Sequence, residues 1–217
     1  MLLGTATKDD WWVYLLYALI TSGGLAGLFT GVSKVVASWK RSKGVEELGK
    51  TFSAMAELNS ALNDLRAQTD ACRAVILKST NGGGIPSPGK GAYSSVVFES
   101  YNNAADRIRH LWQDIPVDSQ YSQLLNDVYQ QGTVRIETKQ LPPGDLKDLY
   151  DASGVQKSVV CRIGCNELAM FYLSVNFKNP KHLTSGELSI IRAAVAHMAA
   201  LFKRSKEIYF YDFNSPV

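Results

Sequence analysis

From Trp11 to Ser33 the chain reads WWVYLLYALITSGGLAGLFTGVS, twenty-three residues without a charge. As a helix rising 1.5 Å per residue, this run spans roughly 35 Å, enough to cross a hydrocarbon core of about 30 Å. Nothing else constrains the fold so strongly, because a helix that is apolar all round has few places to hide in a chain of 217 residues. Trp11, Trp12, Tyr14 and Tyr17 gather at its start and Trp39 lies beyond its end, as in the aromatic belts of membrane interfaces. A signal peptide is the competing reading. The preceding MLLGTATKDD, however, ends in two aspartates, and the apolar run is long for a signal sequence. Residues 1–10 therefore read as a short N-terminal segment and residues 11–33 as an uncleaved transmembrane helix.

The flanks give the orientation. Lys8 is offset by Asp9 and Asp10, whereas Lys34, Lys40, Arg41 and Lys43 stand on the other side, in a basic linker over 34–44. Positive residues stay inside, which places the body of the protein in the cytoplasm and the linker against anionic headgroups of membrane lipid. The cysteines agree: Cys72, Cys161 and Cys165 are an odd, sparse set, unlike a secreted disulfide scaffold. A formal charge of +3, with the basic residues concentrated at two places, argues against nucleic acid as a partner.

Within the apolar run, Gly23, Gly27 and Gly31 recur at a spacing of four. In lipid, that spacing lets a second backbone approach closely, so the glycines read as a helix-packing seam of a homo-oligomer. The plain alternative is that glycine is common in membrane helices.

Beyond the linker, Val45 to Asp70 carries Leu48, Phe52, Met55, Leu58, Leu62 and Leu65 at helical spacing. Two arrangements fit: a parallel coiled coil with Asn59 as a register-setting residue, or a helix that lays one face on its own domain. The apolar run Ala74 to Leu77 and the β-rich run Tyr93 to Phe98 then predict two strands around the loop NGGGIPSPGKG, whose glycines lack the spacing of a phosphate cradle. Helices are predicted over Asn102 to Trp112 and Ser119 to Gln131, a strand over Thr133 to Thr138, and a short helix over Asp145 to Ala152. A hairpin follows, with arms Val155 to Ile163 and Leu168 to Phe177, of which MFYLSVNF is the strongest strand signal in the chain. Thr184 with Glu187 forms a capping box for a terminal helix with Leu188, Ile191, Val195, Met198 and Phe202 on its apolar face.

This order of elements, with the closing HLTSGELSIIRAAVAHMAALF, resembles the GAF fold, a relative of PAS domains, over 45–206. The resemblance implies an α+β domain in which the first and last helices pack on one face of an antiparallel sheet and small ligands bind under the other. Neither a chromophore-cysteine context nor a cyclic-nucleotide signature is present, so no cofactor is assigned and no ligand residue is carried over. The stretch VILKSTNGGGIPSPGKGAYSSVVFE is also similar to membrane-anchored proteins of tailed phages, and the overall plan resembles class III phage holins of the T-even type. Those holins have the opposite topology, with the N-terminus inside.

Catalytic residues are not evident. His110, His182 and His197 lie far apart, without companions at metal-ligand spacing, and Cys161 and Cys165 flank a turn as ordinary thiols. Lys203, Arg204 and Lys206 complement the carbonyl end of the last helix, and the tail 207–217 is aromatic, suited to a partner or to its own domain. The sequence thus reads as a non-enzymatic, single-pass membrane protein with an oligomerising helix and a GAF-like domain, whose ligand is a small molecule or a protein. The alternative is a holin-like lysis protein that permeabilises the membrane.

Overall fold

The structure, a computed structural model, describes residues 24–80, 91–179 and 182–204. The chain divides into two compact units, Met1–Lys50 and Thr51–Val217. Helix α1 runs over Gly24–Thr69, so the stretch 34–44, read from sequence as a linker, is helical. Among the described residues no helix is long and apolar enough to cross a membrane; Trp11 to Gly23 of the expected span lie outside them. Gly27 and Gly31 are on α1, and Gly23 is outside the described residues.

Among its described residues the second unit is built on six antiparallel strands: β1 Arg73–Thr80, β2 Tyr93–Tyr101, β3 Ile115–Pro116, β4 Thr133–Glu137, β5 Lys157–Cys165 and β6 Ala169–Phe177, in the spatial order β3-β2-β1-β6-β5-β4. Strands β1 and β6 pair in unbroken register from Arg73↔Asn176 to Thr80↔Ala169 at the centre of the sheet. Because side chains alternate across a strand, Ala74 and Ile76 face one layer while Arg73, Val75 and Leu77 face the other. Both faces are covered, which is why the central strands are buried at nearly every position.

On the first face, Leu58, Leu62 and Leu65 of α1 and Ile191, Met198, Leu201 and Phe202 of α4 (Ser185–Arg204) pack on Ile76, Val159, Phe171, Leu173 and Val175. From Leu58 onward, α1 therefore lays one face on its own domain, whereas Phe52 and Met55 remain exposed, at 60% and 40%. The capping box forms as read: the Thr184 backbone N–H donates to Glu187 Oε2 at 2.9 Å, and the Glu187 N–H donates to Thr184 Oγ1 at 3.2 Å.

The second face is covered by α2 (Ser119–Gln131), α3 (Asp145–Ala152) and the chain between β2 and β3. Local sequence sets α2: the Asp118 carboxylate accepts from the Tyr121 N–H at 2.7 Å, and Gly132, at φ 73°, ends the helix by donating to the Val128 carbonyl. The segment Asn102 to Trp112, expected as a helix, is not one. It contains only a 3₁₀ turn over Ala104–Asp106, followed by irregular turns. Its backbone is recruited elsewhere: the Asn102 N–H donates to the Cys72 carbonyl, the Ile108 N–H to Glu99 Oε1 at 2.6 Å, and the Val96 N–H to the Trp112 carbonyl. These distant partners, with local turn bonds such as that from the Trp112 N–H to the Ile108 carbonyl, take the place of a continuous helical ladder.

Candidate functional site

The covering layer and the second sheet face enclose a cavity of about 20 Å³, lined only by residues of Thr51–Val217. A space of that size holds one or two waters. Its walls are apolar, from Val75 and Leu77 on β1, Val160 on β5, Leu124 on α2 and Leu146 on α3. Trp112 closes it, edge-on to the rings of Tyr121 and Tyr150 with centroids 6.3 and 5.7 Å away, and its indole N–H donates to Ser153 Oγ at 3.0 Å.

Two polar groups interrupt this lining. The first is a triangle of hydroxyls: Tyr121 to Tyr172 at 2.5 Å, Ser94 to Tyr172 at 2.6 Å and Tyr121 to Ser94 at 2.8 Å, with Ser79 reaching Tyr172 at 3.3 Å. Burial holds the phenols of Tyr121 and Tyr172 above their usual range and pushes that of Tyr150 up to about 12. At neutral pH these groups stay protonated and serve as hydrogen-bond partners rather than bases.

The second group stands where β1 begins. Arg73 is 0% exposed; its Nη1 donates to the Asp106 carbonyl at 2.8 Å and its Nη2 to the Ser153 carbonyl at 2.7 Å. Its Nε is buried with no acceptor. Burial pulls its pKa below that of a free guanidinium, partly opposed by the thiol of Cys72 and the carboxylates of Asp106 and Glu99. Asp106, 2% exposed, is itself ion-paired with Lys178. Asn176, the register partner of Arg73, and Ser174, whose hydroxyl donates to Asn176 Oδ1 at 2.9 Å, complete this polar end.

None of the residues singled out from sequence lines the cavity. Lys34, Trp39, Lys40, Arg41 and Lys43 fall on α1, and Trp11 and Trp12 lie outside the described residues. Of the histidines, His197 borders a shallow groove between α1 and α4 with Asp64 and Gln68. Cys161 is buried in the core of the other face, and no cysteine lines the cavity. Among the described residues no three His, Cys, Asp or Glu side chains are placed to hold a metal ion. Sequence reasoning missed Arg73, although a signal was present: in ACRAVIL an arginine sits in phase with Val75 and Leu77, two residues of a strand face.

No protein-family model matches the chain, and no curated protein matches it. Solved structures do. The phycoerythrobilin-bound GAF domain from a cyanobacterial phytochrome aligns at 17% identity with a TM-score of 0.52, covering 74% of this chain and 96% of that one. The blue-light absorbing form of the Thermosynechococcus elongatus PixJ GAF domain aligns at 13% identity with a TM-score of 0.56, covering 74% and 90%. A far-red cyanobacteriochrome photoreceptor aligns at 12% identity with a TM-score of 0.55, covering 78% and 98%. At such identities the likeness is one of architecture, and it agrees with the sheet order and with the two helix layers: the chain carries an α+β domain of GAF fold.

Proposed function

We propose that the chain is a non-enzymatic, single-pass membrane protein whose GAF-fold domain senses a small molecule. The observation that carries this reading is the cavity between the sheet and its covering layer, with one buried cation and otherwise mainly apolar walls. The similar structures include a domain with a bound bilin, so this architecture accommodates ligands; that supports a ligand here by analogy of fold alone. A bilin itself does not suit this chain, because about 20 Å³ is far below the several hundred Å³ that a large ligand fills. The uncharged run over 11–33 supports the anchor, the basic residues after it a cytoplasmic domain, and the glycine spacing self-association.

The test uses the full chain in detergent with Trp11, Trp12 and Trp39 replaced by phenylalanine, so that Trp112, which closes the cavity, is the sole indole. A panel of small acids, amines and neutral polar compounds is titrated against its fluorescence. At least one member is expected to shift the emission saturably. No response from any member would leave the cavity a packing feature and favour a protein-docking role. Retention of the chain in alkali-washed membranes, and its release when 11–33 is deleted, tests the anchor.

A further inference from the structure

We propose that the groove between α1 and α4 is a docking site for residues 205–217 of the same chain, filled by the aromatic run Ile208 to Phe213. The groove lies on the face of the sheet away from the cavity, so its occupancy does not depend on whether the cavity takes a ligand.

The groove has a volume of about 430 Å³, all of it lined by residues of Thr51–Val217. Its floor is apolar: Leu65 is buried, and Ala61, Ile190 and Ala194 are half-buried against the same core. Its rim is polar and exposed, with Glu57, Asp64 and Gln68 on α1 and His197 on α4. An apolar floor under a rim of hydrogen-bonding groups suits a tyrosine, whose ring is apolar and whose tip is polar.

The occupant follows from where α4 ends. Arg204 closes that helix, and its Nη2 donates at 2.9 Å to Glu57 Oε2, so the chain leaves α4 at one end of the groove. From Glu57 the lining runs along α1 to Gln68, eleven residues or roughly 16 Å away. Residues 205–217 lie outside the described residues; extended at about 3.3 Å each they reach roughly 40 Å, more than twice that length. Ser205, Lys206 and Glu207 supply the turn back, and Ile208, Tyr209, Phe210, Tyr211 and Phe213 then fall within the groove's span. Left in water, these five side chains would form a contiguous apolar patch. A second copy is a poorer occupant, since a groove roughly 16 Å long and one helix spacing wide offers on the order of 200 Å², against about 800 Å² per partner in a stable interface. A segment joined three residues away has an effective concentration of about millimolar and needs no such area.

The test uses the full chain in detergent with Cys165→Ser, which leaves Cys72 and Cys161 buried, and with Ala193→Cys at the exposed edge of the groove. The new thiol carries bimane, a fluorophore quenched on contact with tyrosine. The emission is expected to be quenched, and the quench to be lost when Tyr209→Phe and Tyr211→Phe are combined. It is expected to be lost also in Phe210→Ser with Phe213→Ser, which keeps both tyrosines but removes two apolar anchors. A label at Gln123→Cys, on α2 across the sheet, should give one emission in all three chains. Dilution by about tenfold should leave the quench intact, because docking within one chain is independent of concentration. Equal emission from Ala193→Cys with and without Tyr209 and Tyr211 would leave the groove to water, detergent or another partner and overturn the proposal. A quench that fades on dilution would place the segment in the groove of a second copy. One that survives Phe210→Ser with Phe213→Ser would mean that the aromatic run does not hold the segment there. Either result refutes the docking proposed.

Discussion

Replacing Leu62 by alanine tests how α1 is used. Leu62 is 0% exposed and sits in the core formed by α1, α4 and the sheet. The substitution removes three carbons, each worth about 0.8 kcal/mol in transfer from water, or roughly 2.4 kcal/mol together. The space left between two helices and a strand layer collapses only in part and adds to this, so the expected loss is about 3 kcal/mol, within the range for buried leucines. The companion change is Phe52→Ala, a larger side chain in the same apolar stripe but 60% exposed, for which about 0.5 kcal/mol or less is expected. Guanidinium unfolding of the full chain in mild detergent, followed by Trp112 fluorescence in the single-tryptophan background, gives both values. If Phe52→Ala costs as much as Leu62→Ala, and its cost grows with protein concentration, then Phe52 lies in a seam between copies. The coiled-coil arrangement would then replace the one argued here.

Four further outcomes are expected. Tyr172→Phe removes the hydroxyl shared by Tyr121, Ser94 and Ser79 inside a closed core and should cost about 1–3 kcal/mol in the same unfolding assay. Tyr150 ionises at about 12 in the folded state, above the 10 of a free phenol; the unfolded chain therefore loses its proton first, so the stabilisation is complete below pH 10 and drains away between pH 10 and about 12, and Tyr150→Phe should flatten that part of an alkaline unfolding profile. Glu187→Ala breaks the reciprocal capping of α4 and should cost about 1 kcal/mol, read as a lowered unfolding midpoint. Gly27→Ile should weaken self-association of the membrane segment by about 1 kcal/mol or more in a reporter assay while leaving insertion intact, with Leu25→Ile as the neutral control.

Where local chemistry decided an element, the sequence was enough to read it. Helices α2 and α3 fall on the residues expected, because Asp118, Gly132 and the Pro142-Pro143-Gly144 stop are signals carried within a few positions. The β5–β6 hairpin and the capped α4 follow for the same reason. The stretch 102–112 failed because its apolar spacing suits a helix, yet its backbone bonds to Cys72, Glu99 and Val96, partners close in space and invisible to periodicity. Ser174 and Asn176 were not legible as cavity residues for a different reason. They alternate with Leu173, Val175 and Phe177 like the wet face of a half-buried strand, but a second layer covers that face and makes them part of the cavity's polar end. The cavity could not be derived from one segment, since it is assembled from β1, β5, β6, α2, α3 and the turn at Trp112.

The placement of Arg73 also bears on how a bound ligand would be felt by the rest of a sensor. Only Asp70, Ala71 and Cys72 separate the end of α1 from this cation, and none of them is slack. Asp70 takes φ 55° to stop the helix, the Ala71 N–H donates back to the Arg66 carbonyl, and the Cys72 N–H donates to the carbonyl of Asn176, a cavity residue. Arg66 then reaches forward from α1, its Nε to Ser100 Oγ at 3.1 Å and its Nη1 to Asn102 Oδ1 at 2.5 Å, while Ser100 donates to Asn63 at 2.6 Å. Asn102 opens the segment whose Asp106 carbonyl accepts from Arg73. The end of α1 and the polar end of the cavity thus share one hydrogen-bonded assembly, although the helix packs on the opposite face of the sheet. In the proposed function, a ligand that repositions Arg73 acts on groups that also fix the end of α1. The coupling can be no larger than the difference in the ligand's affinity for the two arrangements.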